Sequence, residues 1–435
     1  VRRLAGFLSA ALLIAAWPLN AADYHVGPED YRDHLTRLQA GDRLLLRAGV
    51  YTRGLPLRDL HGEAERPIVI EGPSDGARAR FVARRGAHTV SLIDVSHVTL
   101  RNLQLDGARL PVDAVRAEGH ARYAHFVTLE NLHIHDHDAS QQNVGISTKA
   151  PAFGWVVRGN LIERVGTGMY FGDSDGSDPF VAGLIEDNHI RATLGYNLQI
   201  KHQAPRPAGL PGAGQAQTTV IRRNVFDKRD GGPPGPMARP NLLVGHWPLS
   251  GDGSDDRYLI HANLFWHNPG EALFQGEGRF ALYNNLFITD GPDAIRVQPH
   301  NDVPRDVRVL FNTVLAAGNG ITVLHPEANP YTQLVAGNLV FAARPLHGGT
   351  REANLTGTRA AAARHLADPG AMADTREHVA RALAPRDGRA PTRRLDPAWL
   401  VDLPDIGFDF AGRPRPPGAI GALVSPRRRR RVPRP

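Results

Sequence analysis

The sequence has 435 residues, among them 45 Gly and 34 Pro, with 42% hydrophobic residues and no Cys. That is enough for a large core, and it excludes a disulfide scaffold, a thiolate metal site and a cysteine nucleophile. The formal charge of +7 sits in two acid-free ends (Arg2, Arg3, Arg427–Arg431 and Arg434); removing those eight charges leaves −1. A nearly neutral body argues against specific nucleic-acid binding.

Residues 1–22 are expected to be a signal peptide. Arg2 and Arg3 precede an apolar run of 13 residues, Leu4 to Ala16, which is short of the roughly 20 needed to span a bilayer, and Ala21-Ala22 offer a cleavage point. The expectation is an exported or periplasmic monomer with no transmembrane anchor after cleavage. Residues 28–39 follow with helical apolar spacing at Tyr31, Leu35 and Leu38, as a capping helix. AGDRLLLRAGVY (40–51) then starts a sheet, continued by PIVIEG (67–72).

From there one asparagine recurs after a β-rich run, at Asn102, Asn131, Asn160, Asn188, Asn224, Asn263, Asn285, Asn312 and Asn338, at intervals of 22 to 39 residues. Between these lie short alternating strands: GISTK, GMYFG, NLQIK, NLLVG, ALFQG, AIRVQ and GITVL. A unit so short cannot bury an apolar face alone but can when stacked. The chain is therefore expected to be all-β, a parallel β-helix of about ten coils over 23–349. Each asparagine is read as an αL-tolerant corner residue whose amide bonds its copy in the next coil. Insertions at 203–214 and 229–240 should form loops beside a sheet face. Residues 350–423 are expected to be a C-terminal cap and closing segment, and 424–435 a disordered arginine-rich tail.

Placing Ile146, Met169, Leu198, Leu242, Ile295 and Ile321 inward puts alternate residues outward. One outward column then holds Lys149, Lys201, Gln275 and Gln298, and the column before it holds Tyr170, Gln199 and Arg296. The residues just after the strands place Asp173, His202 and His246 on three consecutive rungs, about 4.8 Å apart. The chain has 48 arginines and three lysines, and two of those lysines share one column. Lysine differs from arginine in having a pKa that burial or a cationic neighbour can lower into a working range. Further along, Glu271, Gln275, Glu277, His300 and Asn301 extend the same face. Trp247 is a candidate sugar platform. GDSDGSD (172–178) sets Asp173, Asp175 and Asp178 in one tight turn, a set of hard oxygen donors suited to Ca²⁺. HIHDHD puts His133 and His135 on one strand face, an imidazole pair with no third ligand in the local sequence.

The capping helix, the 40–51 strand and the ending DIGFDFAGRPRPPGAIGAL (405–423) together resemble the secreted pectate-lyase-like β-helix superfamily over roughly residues 23–423. That resemblance implies a right-handed coil and an enzyme acting on an acidic polysaccharide. The opening is most similar to calcium-dependent alginate and chondroitin lyases, whose paired-glutamate calcium motif and downstream arginine motif are absent here. Gln298-Pro299-His300-Asn301 resembles the Asp-Pro-His-Asp motif of mannuronan epimerases without its acids. The implied chemistry is β-elimination from a uronate, with Lys201 as base, His202 and His246 as alternative base or acid, and Tyr170 as proton donor. Lys149, Gln199, Gln275, Arg296, His300 and Trp247 would bind substrate. A non-catalytic polysaccharide-binding or cell-envelope protein, or a uronate epimerase, are the alternatives.

Overall fold

The computed structural model describes residues 21–324, 330–370 and 375–425. The expected leader and arginine tail fall almost wholly outside the described residues. No helix among those described is long and apolar enough to cross a membrane.

The strands line up in three long sheets of 13, 12 and 11 members plus a short fourth sheet of four, and every strand pair is parallel. This is a right-handed parallel β-helix. With about 4.8 Å per rung, 13 rungs make a rod of roughly 60 Å, somewhat longer than the ten coils the sequence suggested. Inward residues stack as a continuous column, with Val115, Ile146, Met169, Leu198, Leu242, Phe274, Ile295, Ile321 and Leu346 as successive partners.

The N-terminal end differs from expectation in two ways. A strand, Asp23–Val26, precedes the helix and pairs with Arg43–Leu46. The helix itself is only Arg32–Leu35. The rest of 28–39 is tight turns, yet Tyr31, Leu35 and Leu38 are all buried as their spacing required. The Tyr31 ring meets Tyr51 and Phe81 edge-on at 5.1 and 5.8 Å, plugging the open coil.

The asparagines form a buried ladder. From Asn160 onward each donates its backbone N–H and its Nδ2 to the Oδ1 of the next, through Asn188, Asn224, Asn263, Asn285, Asn312 and Asn338 to Asn354, at 2.8–3.1 Å. The αL residue is not the ladder asparagine but the one before it: Gly159, Asp187, Arg223, Ala262, Asn284, Phe311, Gly337 and Ala353, with φ of 51–67°. Of the recurring asparagines, Asn102 and Asn131 alone adopt αL themselves. A non-glycine αL residue costs about 1–2 kcal/mol. Two buried hydrogen bonds per rung, each worth about 0.5–1.5 kcal/mol net, offset it.

The outer faces divide the molecule. On the 13-stranded sheet Glu71, Arg101, Glu130, Arg158, Glu186 and Arg222 are successive partners of alternating sign. On the 12-stranded sheet the corresponding column runs Asp106, His135, Glu163, Arg191 and Asp227. Beyond these points both columns turn apolar. Trp266, Ile288, Leu315 and Phe341 continue the 12-stranded face, while Tyr283 and Leu310 appear on the 13-stranded face.

The C-terminal segment covers those apolar columns. Strands Thr350–Glu352 and Leu355–Gly357 add one more rung past residue 349. The chain then folds back along the flank rather than over the end. Val379, Leu383, Phe410 and Ile420 bury Leu264, Trp266, Ile288 and Leu315. Leu403, with Leu395, Trp399 and Leu400, covers Leu259, Tyr283 and Leu310. The expected cap is therefore a lateral apron. The last rung is protected instead by its own composition, with Pro345, Gly348, Gly349, Arg351 and Glu352 along an exposed edge.

Candidate functional site

Two of the three faces are thus ion-paired or covered along most of their length, whereas the 11-stranded face pairs its column arginines only towards its ends, Arg116 with Asp113 and Glu118 and Arg296 with Asp293. Its outward column runs Arg116, Ser147, Tyr170, Gln199, Leu243, Gln275, Arg296, Thr322 and His347. Gln275 belongs in this column with Gln199 and Arg296, not with the lysines. Gln275 lies in the strand Phe274–Gly276, which follows Ala272-Leu273 directly, so three apolar residues in a row leave alternation unable to set the frame. The lysine column is Lys149, Gly172, Lys201, Gly245, Glu277 and Gln298, as the backbone hydrogen bonds after each strand show.

A groove of about 300 Å³ lies on this face, lined by Gln199, Lys201, His202, Gln275, Glu277, His300, Asn301, Tyr196, Arg239 and Glu271 among others. Five residues singled out from the sequence as site residues, Gln199, Lys201, His202, Gln275 and His300, converge here from coils up to 100 positions apart. The loop that carries Arg239 is the 229–240 insertion, beside the sheet face as expected. The side chains of Gln199, Lys201, His202, Gln275 and His300 form no hydrogen bond among the described residues, so their donors face the groove unspent. Glu277 is anchored: its carboxylate accepts from the Asn301 backbone N–H (2.6 Å) and Nδ2 (2.7 Å). Tyr196 and Arg239 carried no sequence signal, since only the insertion and the neighbouring coil bring them to the groove.

Beside the groove the two lysines flank a glycine. Gly172 occupies the rung between Lys149 and Lys201, and Lys149 Nζ donates to its carbonyl at 2.9 Å. The same ammonium lies 3.6 Å from the centroid of the Tyr170 ring. Burial, then the Arg116 charge and more weakly Lys201, lowers the Lys149 amine from 10.5 to about 8, against the opposing pull of Asp173 and Asp113. Burial raises the Tyr170 hydroxyl, which keeps it protonated.

Three expected site residues, His246, Trp247 and Arg296, do not line the groove. The backbones of Asp173, His202 and His246 do sit on consecutive rungs. The His246 imidazole is buried, however, with Nδ1 against the Trp247 carbonyl and Nε2 3.0 Å from the Val303 carbonyl. It holds the 245–247 turn to the 298–306 loop. Trp247 is a core residue stacked on Tyr258 at 4.3 Å, not a sugar platform. Arg296 lies outside the groove, on the rung after Gln275.

The carboxylates of the 172–178 turn serve the turn. Asp173 accepts from Ser177 Oγ (3.1 Å) and the Asp178 N–H (3.2 Å), and Asp175 accepts from the Ser177 N–H (2.9 Å). Burial and the charges of Asp173 and Asp175 push Asp178 up to about 6. Their oxygens do not gather into one cage. Among the described residues, the group whose donor atoms all lie within 4.8 Å of one another is Asp106, His135 and Asp136. The motif itself supplies His135 and Asp136 and the neighbouring rung supplies Asp106, while His133 lies 3.1 Å from a Glu163 oxygen and is outside the group. Asp106 is already held by Arg80, and Asp136 by Arg164 at 2.7 Å, which takes the Asp136 carboxyl down to about 2. A cation there would have to displace two guanidiniums. Neither set fits a resident Ca²⁺ as it stands.

No protein-family model matches the chain, and no curated protein matches it. Solved structures do. A GH136 lacto-N-biosidase from Eubacterium ramulus aligns with 78% of this chain and 68% of its own, at TM-score 0.51 and 15% identity. A mannuronic-acid-specific polysaccharide family 6 lyase from human gut microbiota aligns with 78% of this chain and 83% of its own, at 0.47 and 14%. A PL6 family alginate lyase aligns at 0.48 and 12%, over 77% of this chain but only 51% of its own length. At such identities the likeness establishes the β-helix fold alone.

Proposed function

We propose that this protein is an exported carbohydrate-active enzyme that cleaves a uronate-containing polysaccharide by β-elimination. The observation that carries this reading is the lysine pair beside the groove of the 11-stranded face, with one amine half-buried and lowered to about 8. β-Elimination needs a base for the C5 proton, a cation for the adjacent carboxylate, and an acid for the leaving oxygen. Lys149 suits the base, because a lysine near 8 is partly neutral at mildly alkaline pH, where an ordinary one is not. This exchanges the roles expected from sequence, where Lys201 was the base. Lys201, with no hydrogen bond of its own, suits the uronate carboxylate, whose charge grows as the proton leaves. The C5–H electron pair becomes the C4=C5 double bond, the C4–O bond breaks, and the leaving oxygen takes the Tyr170 proton. Gln199, His202, Gln275 and His300 would bind sugar hydroxyls along the groove.

The test is to incubate the protein with alginate, pectate, chondroitin and hyaluronan, with and without Ca²⁺, following absorbance of the unsaturated product. Product is expected from wild type. It should be abolished in Lys149→Arg, which cannot deprotonate, and reduced mainly through KM in Lys201→Arg. Binding without product on every polymer would overturn the reading in favour of a polysaccharide-binding protein.

A further inference from the structure

Beyond the groove the same face carries a second polar patch on its last three rungs. Asp293, Asn319 and Arg344 are successive partners in one column, and Arg296, Thr322 and His347 in the neighbouring one. These six residues border a cavity of about 570 Å³. The patch holds two guanidiniums and a histidine but only one carboxylate. A chain of contacts fixes the guanidiniums. Arg344 Nε donates to Asn319 Oδ1 at 2.6 Å, the Asn319 amide donates to Asp293, and Asp293 lies 3.6 Å from Arg296 Nη1. Both terminal nitrogens of Arg344 are left without a hydrogen bond among the described residues, and the buried Arg296 Nε has no partner. On the first rungs of the other two faces arginines and acids alternate as partners, from Glu71 to Arg222 and from Glu163 to Asp227; here the arginines exceed the acids.

We propose that this patch is a second anion site that grips a carboxylate of an acidic sugar chain at a distance from the lysine pair. The proposal rests on the uronate reading of the groove and adds to it a requirement on chain length. A planar guanidinium fork with its outer nitrogens free matches a carboxylate in bidentate fashion, and one held by Asn319 loses little freedom on binding. Arg296 is three rungs from Gln199, roughly 14 Å, and Arg344 is two rungs further, roughly 24 Å in all. One sugar cannot span that distance, whereas a polymer lying along the face can. The patch is therefore a distal subsite for long substrates, and the short ones miss it.

The experiment measures binding by calorimetry to the Lys149→Arg protein, so that nothing is turned over, using a tri-uronate and an octa-uronate of the same sugar. Arg344→Gln is added, and in parallel Arg296→Gln, each checked for an unchanged thermal midpoint. The octa-uronate is expected to bind tighter than the trimer. Arg344→Gln should weaken the octamer roughly tenfold or more, as loss of a charge-assisted pair does, and leave the trimer unchanged. Equal affinity for both lengths, an equal loss for both, or a neutral octasaccharide binding as well as the octa-uronate would overturn the proposal. The two readings fail separately. Wild type that makes no product but binds the octamer through Arg344 loses the lyase and keeps this site, whereas product with Arg344→Gln binding undiminished does the reverse.

Discussion

Replacing Lys149 with Met should make the protein more stable while removing its activity. The lysine amine falls from 10.5 in a free chain to about 8 in the fold, with burial as the largest cause. At 1.36 kcal/mol per unit the linkage amounts to about 3 kcal/mol. Because part of the side chain remains in contact with water, screening reduces this to about 1–2 kcal/mol. The sign follows from the proton count: between pH 8 and 10.5 the unfolded chain binds the proton and the fold does not, so wild-type stability rises with pH across that window. Below pH 8 both states are charged and the full cost of burying the charge is present. Met fills the place of the stem without a charge. Urea denaturation at pH 7 should therefore show Lys149→Met ahead by about 1–2 kcal/mol, with the gap shrinking towards zero as pH approaches 10.5. A variant that is less stable at pH 7, or a gap that does not move with pH, would refute the argument that burial of this charge is tolerated for function.

Three other outcomes follow from the same geometry. Asn224→Ala breaks the ladder mid-run, removing bonds to Ile185, Asn188 and Asn263 and orphaning the Asn188 N–H; it should cost about 3–5 kcal/mol in chemical denaturation. Asn131→Ala, near the start and bonded among the described residues only to Asn102 and Arg78 through its side chain, should cost about 1–2 kcal/mol, and losses equal to those of Asn224→Ala would deny the ladder its role. Gly172→Ala puts a Cβ 3.2 Å from Lys201 Cβ and 3.3 Å from the Asp178 carbonyl, at φ +89°. It should lower turnover and destabilise by about 1–2 kcal/mol; full activity would mean that the bare rung between the two lysines is not needed. A chain ending at Gly357 uncovers Trp266, Ile288, Leu315, Tyr283 and Leu310, and should aggregate or bind a hydrophobic dye strongly. A soluble, dye-silent monomer would show that the apron is dispensable.

How much of this was legible beforehand depends on whether the signal was periodic. The asparagine interval and the alternating strands were enough to specify a stacked parallel solenoid, because a repeating unit that cannot bury its own face has few other ways to fold. They also placed Lys149 and Lys201 in one column, and brought Gln199, His202 and His300 to one face. Where the pattern lost contrast the reading slipped: Ala272-Leu273-Phe274 is apolar throughout, so Gln275 was set one column away. His246 and Trp247 lie just past a strand, where alternation no longer governs direction, and they turned inward to the 298–306 loop and to Tyr258.

The coil, its corner asparagines and the shared wall of lysines were determined by the sequence alone, since each depends only on spacing along the chain. Which of three walls stays open was decided by tertiary structure. Alternating charges on two faces neutralise one another only between rungs, and the tail from 359 onward covers the apolar stretches that follow. Neither effect can be seen until residues distant in sequence stand side by side, because burial and charge pairing depend on neighbours in space.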